Sequence, residues 1–130
     1  MSYCRWSSDD YTCDAYVWLD VSGGWRTEIA GRRRVWKVDL PPACDLPVGA
    51  ANSAERAAWA SATVARWAEI GRLVDDESNS DWLDLPEPEG GRSYWHNTAS
   101  ECADNLERLR GLGFNVPQYA IDALREEQMA

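Results

Sequence analysis

The stretch Tyr11-Thr12-Cys13-Asp14-Ala15-Tyr16-Val17-Trp18-Leu19, then Asp20-Val21-Ser22-Gly23-Gly24, then Trp25-Arg26-Thr27-Glu28-Ile29-Ala30 decides the fold. Tyr11, Cys13, Ala15, Val17 and Leu19 alternate with Thr12, Asp14, Tyr16 and Trp18, the period-two pattern of a strand with one buried face. Gly23-Gly24 supplies the positive φ that a tight turn needs. Trp25, Thr27 and Ile29 then alternate with Arg26, Glu28 and Ala30 as the return strand of a hairpin.

Outward from this hairpin, Tyr3 to Trp6 and Val35-Trp36-Lys37-Val38 each read as a further short strand, making an antiparallel meander of three or four strands over residues 1–39. Prolines at 41, 42 and 47 break regular structure, so Leu40 through Gly49 reads as a loop. Asn52 with Glu55 forms a capping box that opens an Ala-rich helix over about 52–74. Its Trp59, Trp67, Ile70 and Val74 lie near one another on the helical wheel, enough for a stripe that covers the sheet. Residues 75–97 read as an acidic loop, anchored by Trp82, Leu83 and Leu85. Thr98 and Glu101 make a second capping box, and Pro117 starts a last helix, so 98–128 is a helical hairpin. Cys102, Leu106 and Leu109, then Ala120, Ile121 and Leu124, are its inward faces. Gln118, Tyr119, Asp122 and Arg125, facing outward, include one base, a poor set for reading DNA phosphates. The expectation is a single α+β domain, 1–130: a meander packed by the long helix and completed by the hairpin.

Composition narrows the class. The chain has 130 residues, of which 45% are hydrophobic and 27% charged, in the range of one globular domain. Eight Trp against one Phe is the outlying feature. A net charge of -9 opposes non-specific binding to nucleic acid or an anionic membrane. No run approaches the roughly 18–20 apolar residues of a spanning helix. Met1-Ser2-Tyr3-Cys4-Arg5-Trp6 lacks the layout of a signal peptide, so a cytosolic protein with free thiols is expected.

Cys4, Cys13, Cys44, Cys102 and His96 would suffice for a zinc site, but structural sites place paired ligands two to four residues apart. Here the closest cysteines are separated by eight residues, so thiols packed in a core are expected and no metal ligand is assigned. Ser7-Ser8-Asp9-Asp10 reads as a turn whose side chains bond the backbone. The run from Asp75 to Asp81 lacks the central glycine and final glutamate of a calcium loop. No GxSxG, phosphate-binding glycine loop or HExxH occurs, so neither catalytic residues nor a cofactor are assigned.

Charge and aromatics say more. Residues 75–89 carry seven acids and no base, whereas Arg32, Arg33 and Arg34 form a basic patch. The acidic loop lying across that patch would be an electrostatic latch; a nucleic-acid contact beside Trp25 and Trp36 ranks second. On the strand face opposite Cys13, Ala15 and Val17, the residues Asp14, Tyr16 and Trp18 make an acidic-aromatic stripe suited to binding a partner.

Ser2-Tyr3-Cys4-Arg5-Trp6-Ser7-Ser8-Asp9-Asp10 and Cys13-Asp14-Ala15-Tyr16-Val17 resemble the opening of a family of small proteins encoded by tailed phages of actinobacteria, mycobacteriophages especially. Glu101 to Leu109 and Val116 to Leu124 are similar to the end of the same family. The resemblance implies a phage origin and a host-cytoplasm setting, and brings no catalytic residue. The resulting expectation is a non-enzymatic accessory protein that binds a host or phage protein, with nucleic acid and membrane set aside. An acidic mimic of nucleic acid and a minor virion component are the alternatives.

Overall fold

The computed structural model describes residues 2–45 and 53–129. The fold is α+β. The chain divides into two compact units, Met1–Val35 with Trp82–Ala130, and Trp36–Asp81.

The first unit is built on a four-stranded antiparallel sheet in the order β1 (Ser2–Cys4), β2 (Ala15–Leu19), β3 (Trp25–Ile29), β6 (Ser93–His96). The hairpin forms as its alternation requires, with Ala15 opposite Ile29 and Leu19 opposite Trp25. Asp20 closes the turn, its N–H donating to Gly24 O at 2.7 Å and its carboxylate accepting from Ser22 N at 3.0 Å. Gly23 alone supplies the positive φ, 96°. Gly24 serves a different need: a Cβ there would stand 1.9 Å from the Trp95 indole, so only a bare backbone lets that ring lie across the turn.

One face of this sheet is covered. Val17, Thr27 and Ile29 point into a core shared with α3 (Ala99–Gly111) and α4 (Gln118–Met129). The helices contribute Cys102, Leu106 and Leu109, then Ala120, Ile121 and Leu124, the inward faces expected from spacing. Each fully buried leucine contributes about 1.5–3 kcal/mol. The Thr98 hydroxyl accepts from Glu101 N at 3.1 Å, so the expected cap starts α3. Phe114 and Val116 of the connection close the core.

Several sequence readings need correction. The first strand begins at Ala15 instead of Tyr11, because Ser8–Tyr11 (α1) is one turn in which Asp9, Asp10 and Tyr11 have φ of 53°, 57° and 67°. The strand placed at 35–38 is β4 (Arg32–Trp36), and it leaves the meander to pair with β5 (Ser80–Asp84) in a separate ribbon. The place beside β3 goes to β6, from the stretch read as the acidic loop 75–97. Pairing across about 65 residues leaves no local trace beyond the alternation of Tyr94 and His96 with Ser93 and Trp95. Covering the sheet, the task assigned to the long helix, falls to α3 and α4.

The second unit holds α2 (Ser53–Asp75), followed by a 3-10 turn at Glu77–Asn79. Ile70 is the buried residue of α2, while Trp67, placed on the same stripe, is 64% exposed. Alanine-rich sequence makes this helix by propensity without giving it a broad apolar face. Trp59 donates to Cys44 O at 2.8 Å and Arg66 to Pro41 O at 3.0 Å, tying the helix to the proline segment. Asn52, the proposed cap, and Pro47, Val48 and Gly49 lie outside the described residues.

Candidate functional site

The face of the sheet opposite the helices carries Tyr16 and Trp18 on β2, Arg26 and Glu28 on β3, and Ser93 and Trp95 on β6. Register sets them in rows. Trp18 stands opposite Arg26, which stands opposite Trp95, and Tyr16, Glu28 and Ser93 make the row beside it. The Arg26 guanidinium lies 5.8 Å from the Trp95 ring centre, a cation–π distance. Glu28 accepts a hydrogen bond from the Ser93 hydroxyl.

Trp6 arrives from the segment after β1, its ring 5.7 Å from Tyr16 at 62°, while Tyr16 meets Trp18 at 5.1 Å and 87°. Both contacts are edge-to-face, the arrangement favoured by ring quadrupoles. A cleft of about 460 Å³ opens among these rings and is also lined by Ser2, Arg5 and Glu28. The Arg5 side chain is steered by a 2.7 Å hydrogen bond from its Nε to Ser2 Oγ. Trp6 is 41% and Trp95 44% exposed, so large apolar surface stands open on this face.

The expected stripe is therefore two-thirds present: Tyr16 and Trp18 come together, and Asp14 does not join them. Asp14 precedes β2 and is 1% exposed. Its carboxylate accepts from Arg33 Nη2 at 2.6 Å and from Asn115 N at 2.6 Å, and its own N–H donates to Asn115 O at 2.9 Å. These bonds draw it inward and remove it from the binding surface. Sequence reading missed Trp6, Arg26 and Trp95, although Trp95 carried a trace in the alternation of 93–96.

The basic patch is divided in the same way. Arg33 turns to Asp14, which raises the guanidinium's pKa through their hydrogen bonds. Arg32 and Arg34 instead stack on Trp82, at 4.3 and 4.6 Å from its ring centre. Lys37 pairs with Asp81 at 3.0 Å. The acidic segment thus offers Arg32 and Arg34 an indole. Asp14 separately holds Arg33.

Cys4, Cys13 and Cys102 are buried free thiols, and Cys44 is half-buried. Among the described residues no group of three His, Cys, Asp or Glu side chains is placed to hold a metal ion, and no helix is long and apolar enough to cross a membrane. No family model, curated protein or solved structure matches this chain.

Proposed function

We propose that this is a non-enzymatic accessory protein that binds a host or phage protein through the outer face of its four-stranded sheet. The observation that carries the reading is the Trp6–Tyr16–Trp18 cluster, left open beside a cleft while the opposite face is filled by helices. Trp, Tyr and Arg are the residue types that dominate protein-binding hot spots, and this face combines them with Arg5, Arg26 and Trp95. Rigid aromatic rings bury large area at low entropic cost, so a partner segment laid across the cleft gains more than it would on a lysine-rich surface. The phage origin and host-cytoplasm setting belong to the same proposal and rest on the resemblance of the two ends of the chain.

The nucleic-acid mimic has less support. Such a mimic needs free carboxylates at phosphate-like spacing, whereas Asp81 is paired with Lys37 and Glu89 with Arg108. The test is capture of partners by tagged protein from an actinobacterial lysate, with Tyr16→Ala and Trp18→Ala in parallel. A partner held stoichiometrically by the parent and released by both variants supports the reading. Retention of every captured partner by both variants overturns it.

A further inference from the structure

Two of the four cysteines meet at one backbone atom. The Sγ atoms of Cys4 and Cys13 lie 3.4 and 3.2 Å from the same acceptor, Ala15 O. Strand β1 ends at Cys4, while Cys13 stands two residues before β2, so the β1–β2 pairing brings them together. Between them runs α1, where Asp9, Asp10 and Tyr11 all adopt left-handed backbone, a conformation that costs L-residues about 1–2 kcal/mol each. Packing alone does not require a dithiol at this point, because alanine or valine fills such space without a polar atom.

Cys13, 5% exposed, stands at the wall of a cleft. The cleft, of about 280 Å³, is also lined by Trp6, Tyr11, Trp82 and the guanidinium-bearing Arg32 and Arg34. Cys4 does not line this cleft and is 3% exposed.

We propose that Cys13 and Cys4 form a thiol–disulfide exchange site, in which Cys13 attacks a low-molecular-weight disulfide entering the arginine-lined cleft and Cys4 resolves the product. Cys13 sulfur bonds to one sulfur of the incoming RS–SR, and the S–S bond breaks to release RS⁻, which takes a proton as RSH. Cys4 sulfur then attacks Cys13–S–SR at the Cys13 sulfur and expels the second RSH. The two protein thiols are oxidised to one disulfide, the incoming disulfide is reduced to two thiols, and the two thiol protons end on the two RSH. The cleft, lined by Cys13 and not by Cys4, supports this order. The Cys13 thiol is held below its ordinary value, chiefly by the neighbouring Cys4 side chain, against burial and the charges of Asp9 and Asp14. Cys4 is pushed up by the neighbouring Cys13 side chain and by burial. Cys102 is pushed up by burial and bonds Thr27 Oγ1 at 3.6 Å, so it stays outside the exchange.

The test uses the reduced native chain incubated with oxidised glutathione, alkylated, digested with trypsin and analysed by mass spectrometry. The expected product is lighter than the reduced chain by about 2 Da, with peptide Met1–Arg5 linked to peptide Trp6–Arg26 and with Cys44 and Cys102 alkylated. Cys4→Ser is expected to accumulate a glutathione adduct on Cys13, and Cys13→Ser to leave Cys4 unmodified. No linked peptide in the parent, a link through Cys44 or Cys102, or linkage that needs denaturant overturns the proposal. An adduct on Cys4 in Cys13→Ser overturns the assigned order. Because the first readout is on the unmutated chain, a variant that fails to fold does not shelter the inference.

Discussion

The Arg33 guanidinium grips the Asp14 carboxylate through Nη2 at 2.6 Å from Oδ2 and through Nε at 3.1 Å from both oxygens. The same Nη2 donates to Gly113 O at 3.1 Å, and Asp14 Oδ2 accepts from Asn115 N. One ion pair thereby joins the segment entering β2, strand β4 and the connection between α3 and α4. Charges taken out of water are tolerated when their remaining hydrogen-bonding capacity is met in this way.

Asp14→Asn leaves Arg33 without its counter-charge, and Arg33 keeps a route to water because its side chain is 19% exposed. The expected loss is about 3 kcal/mol of unfolding free energy, at the lower end for a broken buried pair, read from urea denaturation. At temperatures where the variant is folded it is expected to keep any partner that the parent captures. Partner loss in a folded Asp14→Asn chain would return Asp14 to the binding surface.

Trp18→Ala is expected to cost about 1–2 kcal/mol, since the ring is half-buried and its edge-to-face contact with Tyr16 is worth about 0.5–1.5 kcal/mol. Leu106→Ala, at a fully buried position, is expected to cost about 2–5 kcal/mol. Thermal or chemical denaturation of the two variants checks the ranking. A larger loss for Trp18 would place that residue in the structural core.

Gly24→Ala forces the Trp95 indole off the turn, because the new methyl would overlap the ring. The ring is half-exposed and able to swing, so the expected cost is about 1 kcal/mol, at the low end of overpacking, together with a change in tryptophan fluorescence. Adding Trp95→Ala is expected to abolish the cost of Gly24→Ala. Non-zero coupling in the double-mutant cycle is the confirming result.

His96, the sole histidine, is held neutral by burial, which lowers its pKa below the ordinary 6.5 despite the attraction of Glu101. Its Nδ1 is buried and has no hydrogen-bond partner among the described residues. The unfolded chain therefore takes up this proton first as pH falls. The contribution is complete above pH 6.5 and is lost as pH drops through the folded-state pKa. NMR titration of the imidazole, with urea denaturation of the parent and of His96→Phe at pH 7.5 and 5.5, checks it. The parent is expected to lose more stability than the variant over that interval.

The parts of the fold that were legible rest on contacts between near neighbours. Asp20 and Gly23 specify the hairpin, Thr98 and Glu101 the start of α3, and the spacing of Cys102, Leu106 and Leu109 its buried face. Of the candidate site, Tyr16 and Trp18 were legible for the same reason, since alternation along one strand places them on one face. Asp14 was misread because alternation assigns a face without saying whether a cation waits on the other side. Its partners are 19 and 101 residues away.

By itself, the sequence determined the α+β class, a hairpin turning at Asp20–Gly24, the helical hairpin at the end, and an excess of tryptophan with no local explanation. Tertiary structure alone decided that Ser93–His96 completes the sheet, that Trp6 and Trp95 join Tyr16 and Trp18 on its open face, and that Cys4 and Cys13 meet at one carbonyl. The physical reason is one of range. Turns, caps and periodicity are encoded within a few residues, where steric and hydrogen-bonding preferences act directly. A strand pairing or a cluster of side chains depends on closing long loops, whose outcome is set by the packing of the whole core.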